Sequence, residues 1–125
     1  MMELASKHCV PCRGDAPRVP AAEVPRLLRE IPDWAIVEHD GGPRLRRTYS
    51  FPDFARAVAF TVKIGALAER EDHHPTLLLR WGKVTVTWWT HAIQGLHEND
   101  FIMAARCDAI YGDVGETVDS AEAEV

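Results

Sequence analysis

The 125-residue chain predicts an α+β domain: a single four-stranded antiparallel sheet with three helices packed on one face. Three observations carry that expectation. Two pairs of alternating segments are each joined by a glycine-containing turn, Asp40-Gly41-Gly42-Pro43 and Trp81-Gly82-Lys83. Three segments of helical period flank and separate those pairs, giving the order α-β-β-α-β-β-α. The middle helical segment has a wide apolar face, as a helix covering a sheet must. The length suits one domain, and a body of about 100 residues buries a core without staples.

Residues 1–20 read as an extended arm, because Pro11, Pro17 and Pro20 interrupt regular structure. The arm holds a Cys-x-x-Cys pair, Cys9 and Cys12. A redox dithiol wants a βαβ context, and zinc wants more ligands than His8 and two thiols. The pair therefore reads as two thiols on an arm. Residues 21–111 form the domain. Val24, Leu27, Leu28 and Ile31 recur at helical spacing, with Pro25 in the first turn and Pro32 closing the helix. Asp33 to Glu38 reads as a strand with Trp34 and Ile36 on one face, and Leu45, Arg47 and Tyr49 alternate in the returning strand.

Ser50 is expected to cap the long helix that follows, with Asp53 three residues on and Pro52 in the first turn. Phe54, Ala57, Val58, Thr61, Val62 and Gly65, with Phe60, Ile64 and Leu67 beside them, mark its wide apolar face, which covers the sheet and leaves surface for a partner. Gly65 costs about 1 kcal/mol relative to Ala and suggests a close helix approach. The helix ends around Glu71-Asp72. Thr76 to Arg80 forms the next strand. Val84, Val86 and Trp88 then alternate with Thr85, Thr87 and Trp89 in a strand rich in β-formers. Asn99 is expected to cap the last helix, Asp100 to Tyr111, with Gly112 as its stop. Residues 112–125 are acidic, poor in large apolar side chains and expected to be disordered.

Charge excludes one class of partner. The net charge is -5, and Asp113, Glu116, Asp119, Glu122 and Glu124 of the tail account for all of it. The neutral body offers no nucleic-acid footprint. No apolar run reaches the ~18 residues of a membrane span. The first residues lack the apolar core of a secretory signal, and three cysteines make no disulfide framework, so the cytoplasm is expected.

Chemistry concentrates between Glu69 and Asp100, where four of the six histidines lie, three of them, His73, His74 and His91, as site candidates. His73 and His74 sit at a helix-to-strand junction, and Pro75 pushes His74 towards extended geometry. His91 leaves the neighbouring strand. An antiparallel hairpin sets the start of one strand beside the end of the next, so His91 returns to His73 and His74. Asp100 can aim into the same corner, and Glu69 and Asp72 approach from the other side. Histidines beside carboxylates suit proton transfer near neutral pH, or a metal. His39 and His97 read as surface residues.

The spacing resembles the signature of the pterin-4a-carbinolamine dehydratase family. It runs Glu69, three positions, His73-His74-Pro75, five positions, Trp81, nine positions, His91, eight positions, Asp100. Trp34, Phe54, Thr90-His91, Gly95-Leu96, Asn99-Asp100 and the Cys-Val-Pro-Cys-Arg-Gly arm add to the likeness, which covers about residues 6–111. The resemblance implies dehydration of a 4a-hydroxytetrahydropterin, left by pterin-dependent aromatic amino-acid hydroxylases, to a quinonoid dihydropterin. It implies no metal and no organic cofactor. An acid protonates the departing hydroxyl and a base takes the N5 proton. His73, His74 and His91 would be catalytic, with His73 favoured as base and His91 or His74 as acid. Glu69, Asp72 and Asp100 would orient them, and Trp81 and Thr90 would contact the pterin. Self-association as a homodimer or homotetramer is expected.

Two other readings compete. The family's fold also serves as a dimerisation cofactor for a transcription factor and as an assembly factor for a carbon-fixing enzyme, so a non-enzymatic role is the alternative. The retained histidines argue for catalysis. A zinc hydrolase using His73, His74 and His91 is disfavoured, because adjacent histidines serve one ion awkwardly.

Overall fold

The computed structural model describes residues 4–10 and 17–124, with side chains through residue 113. Helix α1 (Val24–Leu28) leads to strands β1 (Ala35–His39) and β2 (Gly42–Ser50). Helix α2 (Phe54–Glu71), strands β3 (Thr76–Arg80) and β4 (Lys83–Trp88), and helix α3 (Glu98–Glu124) follow. The antiparallel sheet has the order β1-β2-β4-β3, so the two hairpins meet at β2 and β4. This is the predicted α+β architecture.

Alternation decides which face is covered. Leu45 and Tyr49 of β2 and Val84, Val86 and Trp88 of β4 are buried against Ala57, Phe60, Ile64 and Leu67 of α2 and Phe101, Ala104 and Ala105 of α3. Leu27 of α1 and Ile31 join the same cluster. Phe60 anchors an aromatic group, its ring 4.7 Å from Tyr49 and 5.2 Å from Phe51. Offset and edge contacts of this kind add to the area they bury.

Several boundaries differ from expectation, each for a local reason. Ser50 completes β2, and Asp53 caps α2 by accepting the Arg56 N–H at 2.8 Å. Pro52 therefore precedes the cap. Gly65 meets nothing within 4 Å of where a Cβ would stand, so it marks no close helix approach among the described residues. Helix α3 begins at Glu98 rather than Asp100, and it runs on through Gly112 to Glu124. Gly112 is not among the glycines with positive φ, so it makes no left-handed stop. No proline follows it, and Ala121, Ala123 and the glutamates favour helix.

The described residues of the arm are bound to the domain. Residues Leu4–Ser6 form a 3-10 turn, and Leu4 is 1% exposed in the core. The Leu4 N–H donates to Glu30 Oε1 at 3.0 Å. Asn99, expected to cap α3, instead clasps the arm: its Oδ1 accepts the Val10 N–H and its Nδ2 donates to the Val10 carbonyl. Cys12 lies outside the described residues, so the Cys-x-x-Cys reading does too.

Candidate active site

The end of α2 aims the first histidine inward. Asp72 takes the left-handed conformation, φ 52°, and the His73 N–H donates back to the Ala68 carbonyl at 3.2 Å. The chain turns sharply there, and His73 becomes buried while Asp72 stays exposed. The His73 ring stacks on Trp88, with centroids 5.4 Å apart and planes 14° from parallel.

Asp100 meets it from α3. Its carboxylate is fully buried, with Oδ1 2.7 Å from His73 Nε2. Oδ2 accepts the Thr90 hydroxyl at 2.8 Å and the His97 N–H at 2.9 Å. The Thr90 hydroxyl and the His97 N–H together fix the orientation of the carboxylate in the first turn of α3. An acceptor facing Nε2 sets the tautomer of the neutral ring: the proton sits on Nε2, and Nδ1 keeps a lone pair.

The β3–β4 register places the remaining histidines at the same end of the sheet. Thr76 pairs with Thr87, so the residues just before β3 lie beside those just after β4. His74 is exposed, its Nε2 2.5 Å from Glu69 Oε2. His91 is also exposed. It opens a 3-10 turn, His91–Ile93, with its ring 4.4 Å from that of Trp89. The Arg44 guanidinium covers Trp89, 3.8 Å from the ring centroid. Gly42 makes this packing possible. Its φ is +113°, and an added Cβ would stand 2.0 Å from the Gln94 carbonyl oxygen. The turn after His91 therefore rests directly on the first hairpin.

The fold thus gathers His73, Thr90 and Asp100 in direct contact and sets His74 with Glu69, and His91 with Trp89, at the exposed edge of the same corner. Two expected residues stand apart. Asp72 makes no hydrogen bond or ion pair to a histidine among the described residues; its part is the backbone turn. Trp81 is 72% exposed in the turn after Arg80, which pairs with Lys83 at the opposite end of the hairpin. Thr90 is 2% exposed, and its hydroxyl is spent on Asp100. Among the described residues no three of His, Cys, Asp and Glu converge to hold a metal ion.

His97 was expected at the surface and is buried, 6% exposed. It occupies the N-cap of α3, where its Nδ1 accepts the Asn99 N–H at 2.9 Å. With Asp100 accepting its own N–H, the pair forms a capping box. The spacing His97-x-x-Asp100 was the available signal, obscured because caps are ordinarily Ser, Thr, Asp or Asn. His39, by contrast, is exposed as expected.

This arrangement has close parallels. The family model for pterin 4 alpha carbinolamine dehydratase matches residues 17–110. "Putative pterin-4-alpha-carbinolamine dehydratase 1" of Gloeobacter violaceus is 57% identical over 114 residues, 91% of this chain and 98% of the relative. "Putative pterin-4-alpha-carbinolamine dehydratase" of Chlorobium limicola is 53% identical over 111 residues, 89% of this chain and 98% of the relative. A crystal structure described as a transcriptional coactivator/pterin dehydratase from Brucella melitensis superposes with TM-score 0.68 at 33% identity, covering 75% of this chain and 98% of that one. A pterin dehydratase-like protein identified as a RuBisCO assembly factor in the alpha-carboxysome gives TM-score 0.56 at 27% identity, covering 64% of this chain and 90% of that one. Matches of this extent, over a chain whose fold and histidine spacing already agree with the family's, place this chain in the pterin-4a-carbinolamine dehydratase family.

Proposed function

We propose that the chain dehydrates a 4a-hydroxytetrahydropterin to the quinonoid dihydropterin by histidine acid–base catalysis. One observation carries the assignment of roles: the buried Asp100 holds His73 by Nε2 and leaves Nδ1 as the basic nitrogen. Nδ1 takes the N5 proton of the substrate. The N–H electron pair becomes the second bond between N5 and C4a, the C4a–O bond breaks, and the hydroxyl leaves as water with a proton from an acid. The imidazolium formed at His73 faces the Asp100 carboxylate, which stabilises it. His91 or His74, both exposed at the rim, supplies the acid. Glu69 orients His74. Thr90 acts through Asp100, and Asp72 through the turn it makes. Trp81 has no part in this reading of a single chain.

The base assignment predicts that His73→Ala lowers turnover of a synthetic 4a-hydroxytetrahydropterin by ~10²–10⁴-fold, the usual range for one acid–base group. Only acceleration above the spontaneous dehydration counts, and the variant's circular dichroism should match the parent. Unchanged turnover in a folded variant removes the assignment.

The likeness to an assembly factor motivates a second reading, a non-enzymatic role on the same fold. A dominant protein partner in a pull-down, with no pterin turnover, would favour it. The retained pairing of His73 with Asp100 supports catalysis instead. Self-association as a homodimer or homotetramer belongs to the proposal. Phe54 and Val62 of α2 are 46% and 66% exposed, as large apolar residues awaiting a partner would be. Light scattering on purified protein tests it. No helix of the described residues is long and apolar enough to cross a membrane. We place the reaction in the cytoplasm, with a small-molecule pterin as the ligand.

A further inference from the structure

We propose that His97 is a positioning residue for the dehydration, holding Asp100 on His73 through the cap it makes on α3. The inference rests on the reading of His73 given above. His97 and Asp100 are joined reciprocally. The His97 N–H donates to Asp100 Oδ2, and the Asn99 N–H donates to His97 Nδ1. The Asp100 N–H also donates to the His97 carbonyl at 3.0 Å. Three bonds within four residues therefore define the first turn of α3.

The consequence reaches the site through one carboxylate. Two donors hold Oδ2, and with that oxygen fixed the other, Oδ1, must face His73 Nε2. An ordinary capping box has its acidic member at the surface, where losing the cap changes stability alone. Here that member is fully buried and is the partner of the proposed base. Without an acceptor at residue 97 the bond from the Asn99 N–H to His97 is lost and the turn loosens. The His97 N–H then no longer fixes Oδ2, and the orientation of His73 becomes less sharply defined. His97 itself is buried, while the exposed histidines His74 and His91 form the rim. The effect therefore belongs to the chemical step and not to substrate capture.

The test uses the full chain, with His97→Ala, His97→Asn and His97→Gln assayed on a synthetic 4a-hydroxytetrahydropterin. The ring resonances of His73 are followed by NMR in each variant. Asn places its Oδ1 where Nδ1 stood, whereas Gln carries its acceptor one bond further out. His97→Ala should lower kcat by about tenfold, the scale of a small misplacement of a catalytic group. KM should stay within about twofold, because ground-state binding is untouched. His97→Asn should recover most of the loss and His97→Gln little of it. The His73 resonances should move in the Ala variant and return in the Asn variant. A folded Ala variant with parental kcat overturns the proposal, as does rescue by Gln equal to rescue by Asn. If the Ala variant does not fold, the Asn and Gln pair decides by the same signs. Unchanged turnover in His73→Ala would remove the catalytic reading and the kinetic role of His97 with it; unmoved His73 resonances in His97→Ala, with turnover lowered in His73→Ala, would remove the positioning role alone.

Discussion

At the scale of single residues, Asp100 organises the corner. It has no exposed surface, and burying its carboxylate is tolerable because His73, Thr90 and the His97 backbone all bond to it. Asp100→Asn tests this economy of acceptors. The amide has one oxygen and one NH2, so whichever way it turns, at least one of the three donors meets another donor. Turnover should fall by ~10²-fold, with a loss of stability on the order of 2 kcal/mol from the unpaired buried donor. Initial rates and urea melts on the same preparation measure both. A variant with parental turnover would mean that the carboxylate does not orient His73.

At the scale of elements, α3 is fastened to the first hairpin by Asp108. Its Oδ1 accepts Trp34 Nε1 at 2.9 Å, the Arg47 guanidinium at 2.7 Å and the Tyr49 hydroxyl at 2.5 Å. Burial, followed by the neighbouring Cys107 and Asp108, pushes the Tyr49 phenol far above its ordinary range, so it serves only as a donor. The hub links the middle of α3 to β2, while Asp100 links its first turn to Thr90 after β4 and to the site. Asp108→Ala leaves a half-buried guanidinium and two neutral donors without their shared acceptor. It should destabilise by on the order of 3 kcal/mol, against about 1 kcal/mol for Tyr49→Phe. Midpoints of urea unfolding, with unchanged slope, check the order of the two. Equal midpoints would show that the hydroxyl contributes most of the hub.

At the scale of the whole molecule, the N-terminal arm closes over the helices through Glu71. That carboxylate accepts His8 Nδ1–H at 2.9 Å and the Cys9 N–H at 2.7 Å, and Arg106 of α3 approaches at 3.2 Å. The His8 hydrogen bond, then the Cys9 N–H, lower its pKa from 4.5 to about 2. A depressed carboxylate contributes stability that is present above the unfolded value and lost as pH falls through the folded one. The contribution is therefore full above pH 4.5 and gone near pH 2. Thermal melts of the parent and Glu71→Gln should differ at neutral pH and converge towards pH 2. A constant gap across that range would assign the arm's attachment to other contacts, such as Leu4 in the core.

The elements were legible because their causes are local. Alternation in Val84-Thr85-Val86-Thr87-Trp88 and the helical period of α2 write burial directly into sequence order, and the two glycine turns set the pairing. The family spacing from Glu69 to Asp100 was legible for the same reason: hairpin register converts distance along the chain into a common end of the sheet. Ends of elements were less so, because a cap depends on which backbone N–H is left without a partner. That is why Asp53 rather than Ser50 caps α2, and why Gly112 fails to stop α3. Sequence by itself determined the α+β order, the histidine stretch and the corner where its parts meet. Only the tertiary structure decided which of them touch. It gave Thr90 and His97 to Asp100, turned Trp81 away and sent the arm into the core, because hydrogen bonds and burial depend on three-dimensional neighbours that no spacing records.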